Sequence, residues 1–279
     1  MSSALKKILL PFSLGLLLCA PSPASDEKEP SDATGQLAKS IAGAHRAANN
    51  RQRDAYRHPR KTLEFFGIRD SMTVVEIWPG GKGWYTEILA PLLGKNGKLY
   101  AAHFSPDSQV AFFTSSLKQF RKKLAGNLTI YEKVTLTTLQ PPAQLEIAPK
   151  GTVDMVLTFR NVHNWMEAGQ ADRVFKAMFD VLKPRGTLGI VEHRGIAELA
   201  QDPQARSGYV TEKHVKKLAR RAGFEWIESS EINANPRDTK DHPAGVWTLP
   251  PTLRLKTLGI EKYKGIGESD RMTLKFRKP

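Results

Sequence analysis

Thiols and long apolar runs are what this chain has least of. One cysteine, Cys19, occurs in 279 residues, so no disulfide can form within the chain. Outside residues 8–18 no stretch is long or apolar enough to cross a membrane. Internal repeats are absent, and no basic segment is interleaved with aromatic residues in the manner of an RNA-binding motif. Nucleic acid is therefore not an expected partner. Acidic residues are also in deficit: 28 Asp and Glu face 42 Lys and Arg, for a formal net charge of +14. Such a surface attracts anionic lipid, polyanions or acidic substrates. Charge alone does not choose among these; with the rim residues below, the expected partner is a small anionic molecule, and peripheral contact to an anionic membrane surface is a second expectation. The sequence carries no signal of oligomeric state.

What the sequence does contain begins with a leader. Lys6 and Lys7 precede the apolar run 8–18, and Ser22-Pro23-Ala24 offers small residues for cleavage before Ser25. This is the pattern of a secretory signal peptide, too short to span a bilayer comfortably. A buried N-terminal helix fits less well, since Pro11 and Pro21 would sit inside it. The expectation is an exported, periplasmic protein cleaved after Ala24, which removes the single thiol. Lipidation at Cys19 is the alternative, but Leu18 stands where a lipoprotein signal has a small residue. The chain then divides into a polar, proline-bearing flexible leader (25–34), a helical arm (35–61) and one α/β domain (62–279). Its 40% hydrophobic content is enough for a core.

The domain is organised around Val74-Val75-Glu76-Ile77-Trp78-Pro79-Gly80-Gly81-Lys82-Gly83-Trp84-Tyr85, followed by Ile88, Leu89, Leu92 and Leu93 at helical spacing. The apolar run with an acid inside it predicts a buried strand, and the glycines a tight turn into a helix. That order brings backbone N–H groups and a helix N-terminus up to a ligand, or is simply a strand-to-helix turn. In the arm, residues 36–49 have helix-forming composition, and a short helix over 59–66 starts on Pro59 and ends near Gly67. Residues 51–60 are dense in charge. They form either a lid whose arginines face an anion, or a solvated basic surface packed through Leu63 and Phe66.

Further along, the pattern predicts strands over 98–104, 127–134, 153–159, 187–192, 224–232 and 271–277, with a loop at 135–149. One helix should start on a Ser105 cap with Pro106 at its first position and run through Leu124. Another covers 168–182 and stops at Lys183-Pro184-Arg185-Gly186; a third covers 211–222, capped by Thr211. Strands alternating with helices imply a doubly wound, mostly parallel seven-stranded sheet. The last two strands have no helix between them, so the final strand should run antiparallel.

Over residues 62–278 this pattern resembles the class I S-adenosylmethionine-dependent methyltransferase fold, a Rossmann-like architecture. The match rests on Glu76-Ile77-Trp78-Pro79-Gly80-Gly81 and on the run Val153 to Phe159 followed by Arg160-Asn161-Val162-His163-Asn164-Trp165. Val181-Leu182-Lys183-Pro184-Arg185-Gly186 and the terminal strand pair complete it. With the leader, Trp78-Pro79-Gly80-Gly81 and Gly83-Trp84-Tyr85-Thr86 look like a group of exported, predicted bacterial methyltransferases. The resemblance implies S-adenosylmethionine as cofactor and methyl transfer as activity. It also implies Glu76, Gly80, Gly81 and Gly83 as contacts to the methionine part of the cofactor. Departures accompany it: Trp78 replaces the first glycine, and Lys82 lengthens the loop. His103 stands where the family commonly has an acid for the ribose hydroxyls, and no acid follows the third strand at Lys133-Val134-Thr135. An imidazole still hydrogen-bonds a hydroxyl, without the charge-assisted contact.

In a parallel α/β sheet, ligands bind beyond the carboxyl ends of the strands. Those ends carry Glu76, His103, the residues from Arg160 to His163, and Glu192-His193-Arg194. His163 or His193 is the expected base, since imidazole titrates near neutral pH. Asn161, Arg160 and Arg194 would orient an anionic acceptor, and Trp165, Trp84 or Trp247 would stack on a flat one. Taken singly, each histidine is as readily structural, and Arg160 and Arg194 as readily pair with Glu192 or Asp154. His103, His163 and His193 with Glu192 also have the ligand types of a divalent-metal site. No pair has the helical spacing of a metal motif, and no metal is assigned. The alternative to the enzyme is a catalytically degenerate exported module that binds an anionic small molecule or lipid. Catalysis requires the indole of Trp78 to leave the hollow beside the glycine loop open.

Overall fold

The computed structural model describes Met1 and residues 33–279, and all its elements lie in one compact unit, Asp32–Pro279. The expected signal peptide and most of the leader lie outside the described residues. Four short helices come first: α1 Ala33–Ala42, α2 Ala48–Arg51, α3 Asp54–Arg57 and α4 Pro59–Phe66. The single helix expected over 36–49 is broken at Gly43, where a turn closed by Arg46 N on Gly43 O reverses the chain. α4 has the predicted limits, with Pro59 in its first turn and Gly67 left-handed at φ 82° after it.

The rest alternates as expected: β1 Thr73–Ile77, α5 Thr86–Leu93, β2 Lys98–His103, α6 Ala111–Ala125, α7 Leu128–Tyr131, β3 Val134–Thr138 and β4 Val153–Phe159. Then follow α8 Val162–Glu167, α9 Ala171–Val181, β5 Leu182–His193, α10 Glu212–Arg221, β6 Glu225–Ser230, α11 Ile260–Ile266 and β7 Arg271–Arg277. The seven strands form one sheet in the order β3-β2-β1-β4-β5-β7-β6. β1 to β5 are parallel, and β7 runs antiparallel between β5 and β6. The order reverses between β1 and β4, so the crevice beyond Ile77 and Phe159 is the switch point at which such sheets bind ligands.

Side-chain alternation along each strand splits the core into two layers. Val74, Met155 and Leu157 pack under α1, α4 and α5, whereas Val75, Val156, Leu188 and Leu274 pack under α8, α9 and α10. No helix among the described residues is long and apolar enough to cross a membrane.

Four boundaries differ from the sequence expectations. The third strand is Val134–Thr138 and not 127–134. Leu128 and Ile130 alternate as a strand would, but a helical turn buries Tyr131 and leaves Leu128 62% exposed. The threonine-rich segment behind it pairs with β2 from Leu99 to His103 instead, a setting that favours β-branched residues. Ser105 and Pro106 start no helix: Ser105 Oγ accepts from Asp107 N (3.3 Å) in a local turn, and α6 begins only at Ala111. Residues 168–182 belong to a helix only from Ala171, because Gly169 turns left-handed (φ 64°) between α8 and α9. Finally, β5 starts at Leu182 paired with Val153, and Lys183-Pro184-Arg185-Gly186 is absorbed as an irregularity before Thr187 pairs with Met155.

Candidate functional site

A cavity of about 370 Å³ opens beyond the carboxyl ends of β1, β4 and β5 and the residues preceding β7. It lies within the range of roughly 300–1,000 Å³ usual for small-molecule sites. Trp78, Phe104, Phe112 and Phe113 give it aromatic lining, and Arg53, Arg57 and Arg160 give it cationic lining. Asn161, His163 and His193 also line it, with Trp247 from the excursion between β6 and β7.

Trp78 and Arg160, which directly follow β1 and β4, both have left-handed backbone, with φ of 46° and 61°. For residues with a Cβ this costs about 1–2 kcal/mol each and is the kind of strain that collects at functional sites. Trp78 is held to one side. Its Nε1 donates to Leu139 O (2.9 Å), and its ring rests on Phe104 and Trp165 at centroid distances of 4.7 and 5.7 Å. The indole therefore lines the hollow and does not plug it. At Gly80 (φ 70°) a Cβ would meet nothing within 4 Å.

The other residues matched to the cofactor face protein. A Cβ at Gly81 would lie 2.7 Å from Gln119 Oε1, and one at Gly83 2.9 Å from the Phe120 ring, so both glycines serve the close approach of the loop to α6. Glu76 points into the layer under α5, where its carboxyl accepts from Thr86 Oγ1 (2.7 Å); burial pushes its pKa up to about 7 against that bond. His103, expected at the ribose, is buried. Its Nδ1 accepts from Phe104 N (2.8 Å), its ring lies 5.0 Å from Phe120, and burial lowers its pKa to about 4. The ring of Phe104 occupies the cavity wall in its place.

The two remaining histidines meet, with ring centroids 5.4 Å apart. Sequence reasoning gave Glu192 no catalytic part, yet it organises them. Its Oε2 accepts from Val162 N (2.6 Å), which caps α8, and its Oε1 accepts from His193 N (2.7 Å) and from His163 Nδ1 (3.1 Å). That bond fixes the tautomer of His163 and leaves Nε2, which has no hydrogen-bond partner among the described residues, as its basic atom. His193 Nδ1 and Ser269 Oγ are hydrogen-bonded at 2.6 Å, and burial, reinforced by His163 and Arg160, lowers the pKa of His193 well below the usual value. His163, Glu192 and His193 bring potential ligand atoms within 4.8 Å of one another. The Glu192 oxygens are already filled by N–H donors, and His103 is not part of the group. Asn161 clips two strand ends together, donating to Ile77 O (3.0 Å) and Thr158 Oγ1 (3.1 Å).

The arm is solvated only in part: Arg51, Tyr56 and Arg60 are exposed, whereas Arg57 and Pro59 are buried. The guanidinium groups of Arg46 and Arg57 lie 5.2 and 4.7 Å from the centre of the Trp84 ring, whose Nε1 donates to Asn50 O (2.8 Å). Arg46 is buried, makes two hydrogen bonds to Asp54 (2.7 and 2.8 Å) and lies 3.7 Å from Glu87 on α5. These anchors bring Arg53 and Arg57 to the cavity. Leu63 and Phe66 pack into the core, as the alternative expectation held.

Two predicted acceptor contacts are not in the cavity. Arg194 turns away and grips Asp270 and Glu231 at 2.7–3.0 Å, bonds that raise its pKa above the normal arginine value. Trp165 is fully buried between Trp78 and Phe175 and is a core residue. Of the three tryptophans expected to stack on an acceptor, Trp247, 6.0 Å from the His163 ring, lines the cavity.

Compared with known proteins, the sequence matches no family model and no curated relative. Solved structures do match in three dimensions. One is a SAM-dependent methyltransferase from Aquifex aeolicus: 17% identity, 88% of this chain and 98% of that one, TM-score 0.54. Another is the glycopeptide N-methyltransferase MtfA in complex with sinefungin: 14% identity, 80% and 85%, TM-score 0.50. The chain has the class I methyltransferase fold. At these identities the likeness speaks to the fold alone, since a third match is the (4+2)-cyclase SpnF: 18% identity, 89% and 94%, TM-score 0.55. Within the methyltransferase fold, the cavity occupies the switch point, and of the five residues matched to the cofactor only Gly80 reaches it.

Proposed function

We propose that the protein transfers a methyl group from S-adenosylmethionine to a small anionic acceptor. The observation that carries this is the open hollow beside Gly80 at the switch point of a methyltransferase-type sheet, shared with a histidine oriented by a buried carboxylate. The residues present fit the cofactor in shape. Gly80 leaves a cradle that a side chain would fill, and Trp78, Phe104 and Phe113 present rings to an adenine. S-adenosylmethionine, when bound, supplies a methyl group on a sulfonium. His163 Nε2 takes a proton from the acceptor, and the adjacent Glu192 carboxylate stabilises the imidazolium so formed. Arg160 and Arg53 hold the anionic end of the acceptor, which positions its nucleophile. Trp247 shields the histidine from water.

Calorimetric titration of the purified chain with S-adenosylmethionine tests this, and absence of heat at millimolar ligand overturns it. His163→Ala should lower kcat about 10²–10⁴-fold while leaving cofactor affinity unchanged; undiminished turnover removes the base role. A specific observation supports a second reading: Glu76 and His103, the matched polar contacts, are both turned into the core. On that reading the protein is an exported module that captures an anion without catalysis. The leader motivates export, and a cofactor made in the cytoplasm would then have to be supplied outside it. A calorimetric blank with the cofactor, together with anion binding, selects this reading.

A further inference from the structure

Three arginines converge on one carboxylate at the cationic wall. Glu268 accepts from Arg53 Nε at 2.6 Å and from an Arg271 terminal nitrogen at 3.1 Å, and Arg57 Nε lies 3.6 Å away. Arg160 lines the same cavity without pairing to Glu268. Among the described residues its guanidinium makes no hydrogen bond or ion pair. Arg57 is 3% exposed, and its Nε has no hydrogen-bond partner. The neighbouring Asp270 is already held by Arg194 and Lys240. The wall is therefore strongly cationic, and Arg57 and Arg160, whose guanidinium groups make no hydrogen bond among the described residues, both line the cavity.

Electrostatics agree with the geometry. Burial and then Arg160 lower the pKa of Arg57 well below the ordinary arginine range. Burial, with Arg271 and Arg53, takes Arg160 down to about 10 against the pull of Glu268. On Glu268 burial acts upward, but Arg57, Arg271 and Arg53 outweigh it and hold the carboxyl at about 2. Buried charges of one sign are costly until an anion joins them. A ligand carboxylate brings one charge and two oxygens, whereas a phosphate monoester brings close to two charges and three acceptor oxygens. Planar guanidinium forks match the latter.

We infer that this wall is a phosphoryl site, which binds the dianionic phosphate of a monoester, and that the methyl acceptor is such a monoester. Calling the ligand an acceptor rests on the methyl-transfer proposal; the phosphoryl site itself does not. Ser269 links the wall to the reacting groups, since it follows Glu268 and bonds His193, whose ring neighbours His163.

The test is calorimetry on the full chain with inorganic phosphate and with acetate, at constant ionic strength and about pH 7.5, where phosphate is mostly dianionic. Phosphate should bind at least about tenfold more tightly than acetate. Arg160→Gln should weaken phosphate about tenfold or more, since it removes a charge-assisted donor fork. Arg53→Gln, at a position whose side chain is 20% exposed, is the second variant should the first fail to fold. Arg206→Gln, at an exposed arginine paired with Asp202, should leave affinity within about twofold. Equal binding of acetate, or indifference of phosphate to both cavity variants, overturns the inference. So does displacement of phosphate by S-adenosylhomocysteine, because the wall would then hold the cofactor's own carboxylate. Phosphate binding without any S-adenosylhomocysteine binding upholds the phosphoryl site and overturns methyl transfer; the converse overturns the site alone.

Discussion

Replacing Glu76 with glutamine should make the protein more stable than the parent above neutral pH and leave the two nearly alike near pH 4. Glu76 is 2% exposed, and its carboxyl accepts one side-chain hydrogen bond, from Thr86. Burial raises its pKa from 4.5 to about 7. Between those values the folded chain holds a proton that the unfolded chain has released. The contribution of Glu76 to stability is thus complete below pH 4.5, falls as pH rises, and is gone above about pH 7. At about 1.4 kcal/mol per tenfold change in proton affinity, the window spans about 3 kcal/mol. Glutamine keeps an acceptor for the Thr86 hydroxyl and has no proton to lose. His103 works in the opposite sense. Its pKa is lowered to about 4, so its contribution is complete above 6.5 and lost as pH falls towards 4. It is common to both proteins and cancels in their difference. Urea midpoints read by tryptophan fluorescence from about pH 4 to about pH 9 should show the variant gaining about 3 kcal/mol relative to the parent. A difference that stays flat with pH would refute the reasoning.

Arg46→Met should destabilise the protein by about 3–5 kcal/mol in urea, because it strands Asp54 and loosens the arm from Glu87. Trp165→Ala should cost about 3–5 kcal/mol through the cavity it leaves, confirming a core role by a lowered urea midpoint. Gly83→Ala should cost at least about 2 kcal/mol, combining left-handed backbone with overlap on Phe120. Gly80→Ala bears only the backbone cost, about 1–2 kcal/mol, but should weaken cofactor binding in calorimetry, where Gly83→Ala acts on stability first.

Elements with local signals were legible. α4 is bracketed by Pro59 and Gly67, β4 is a continuous apolar run, and β7 has the predicted limits. Ambiguous local signals failed. Ser105-Pro106 caps a helix or makes a turn equally well, and Leu128 with Ile130 fits strand or helical turn. At the site, Gly80, Arg160, Asn161, His163 and His193 were found because topology puts them at strand ends on the crevice. Arg194 is the next residue in the chain, yet Asp270 and Glu231, 76 and 37 residues away, draw it off. No spacing reveals that Glu268 would gather arginines from an arm 215 residues earlier.

The order of buried and exposed residues along the chain determined the strands, the winding of the sheet and the rim on which a ligand would lie, because period and turn chemistry act over a few residues. Which rim residues face the cavity was decided only by packing. The side on which Glu76 and His103 are buried, the carboxylate that orients His163, and the three guanidinium groups around Glu268 all depend on contacts between distant segments. Their energies, from desolvation and charge pairing, exist only once those segments meet.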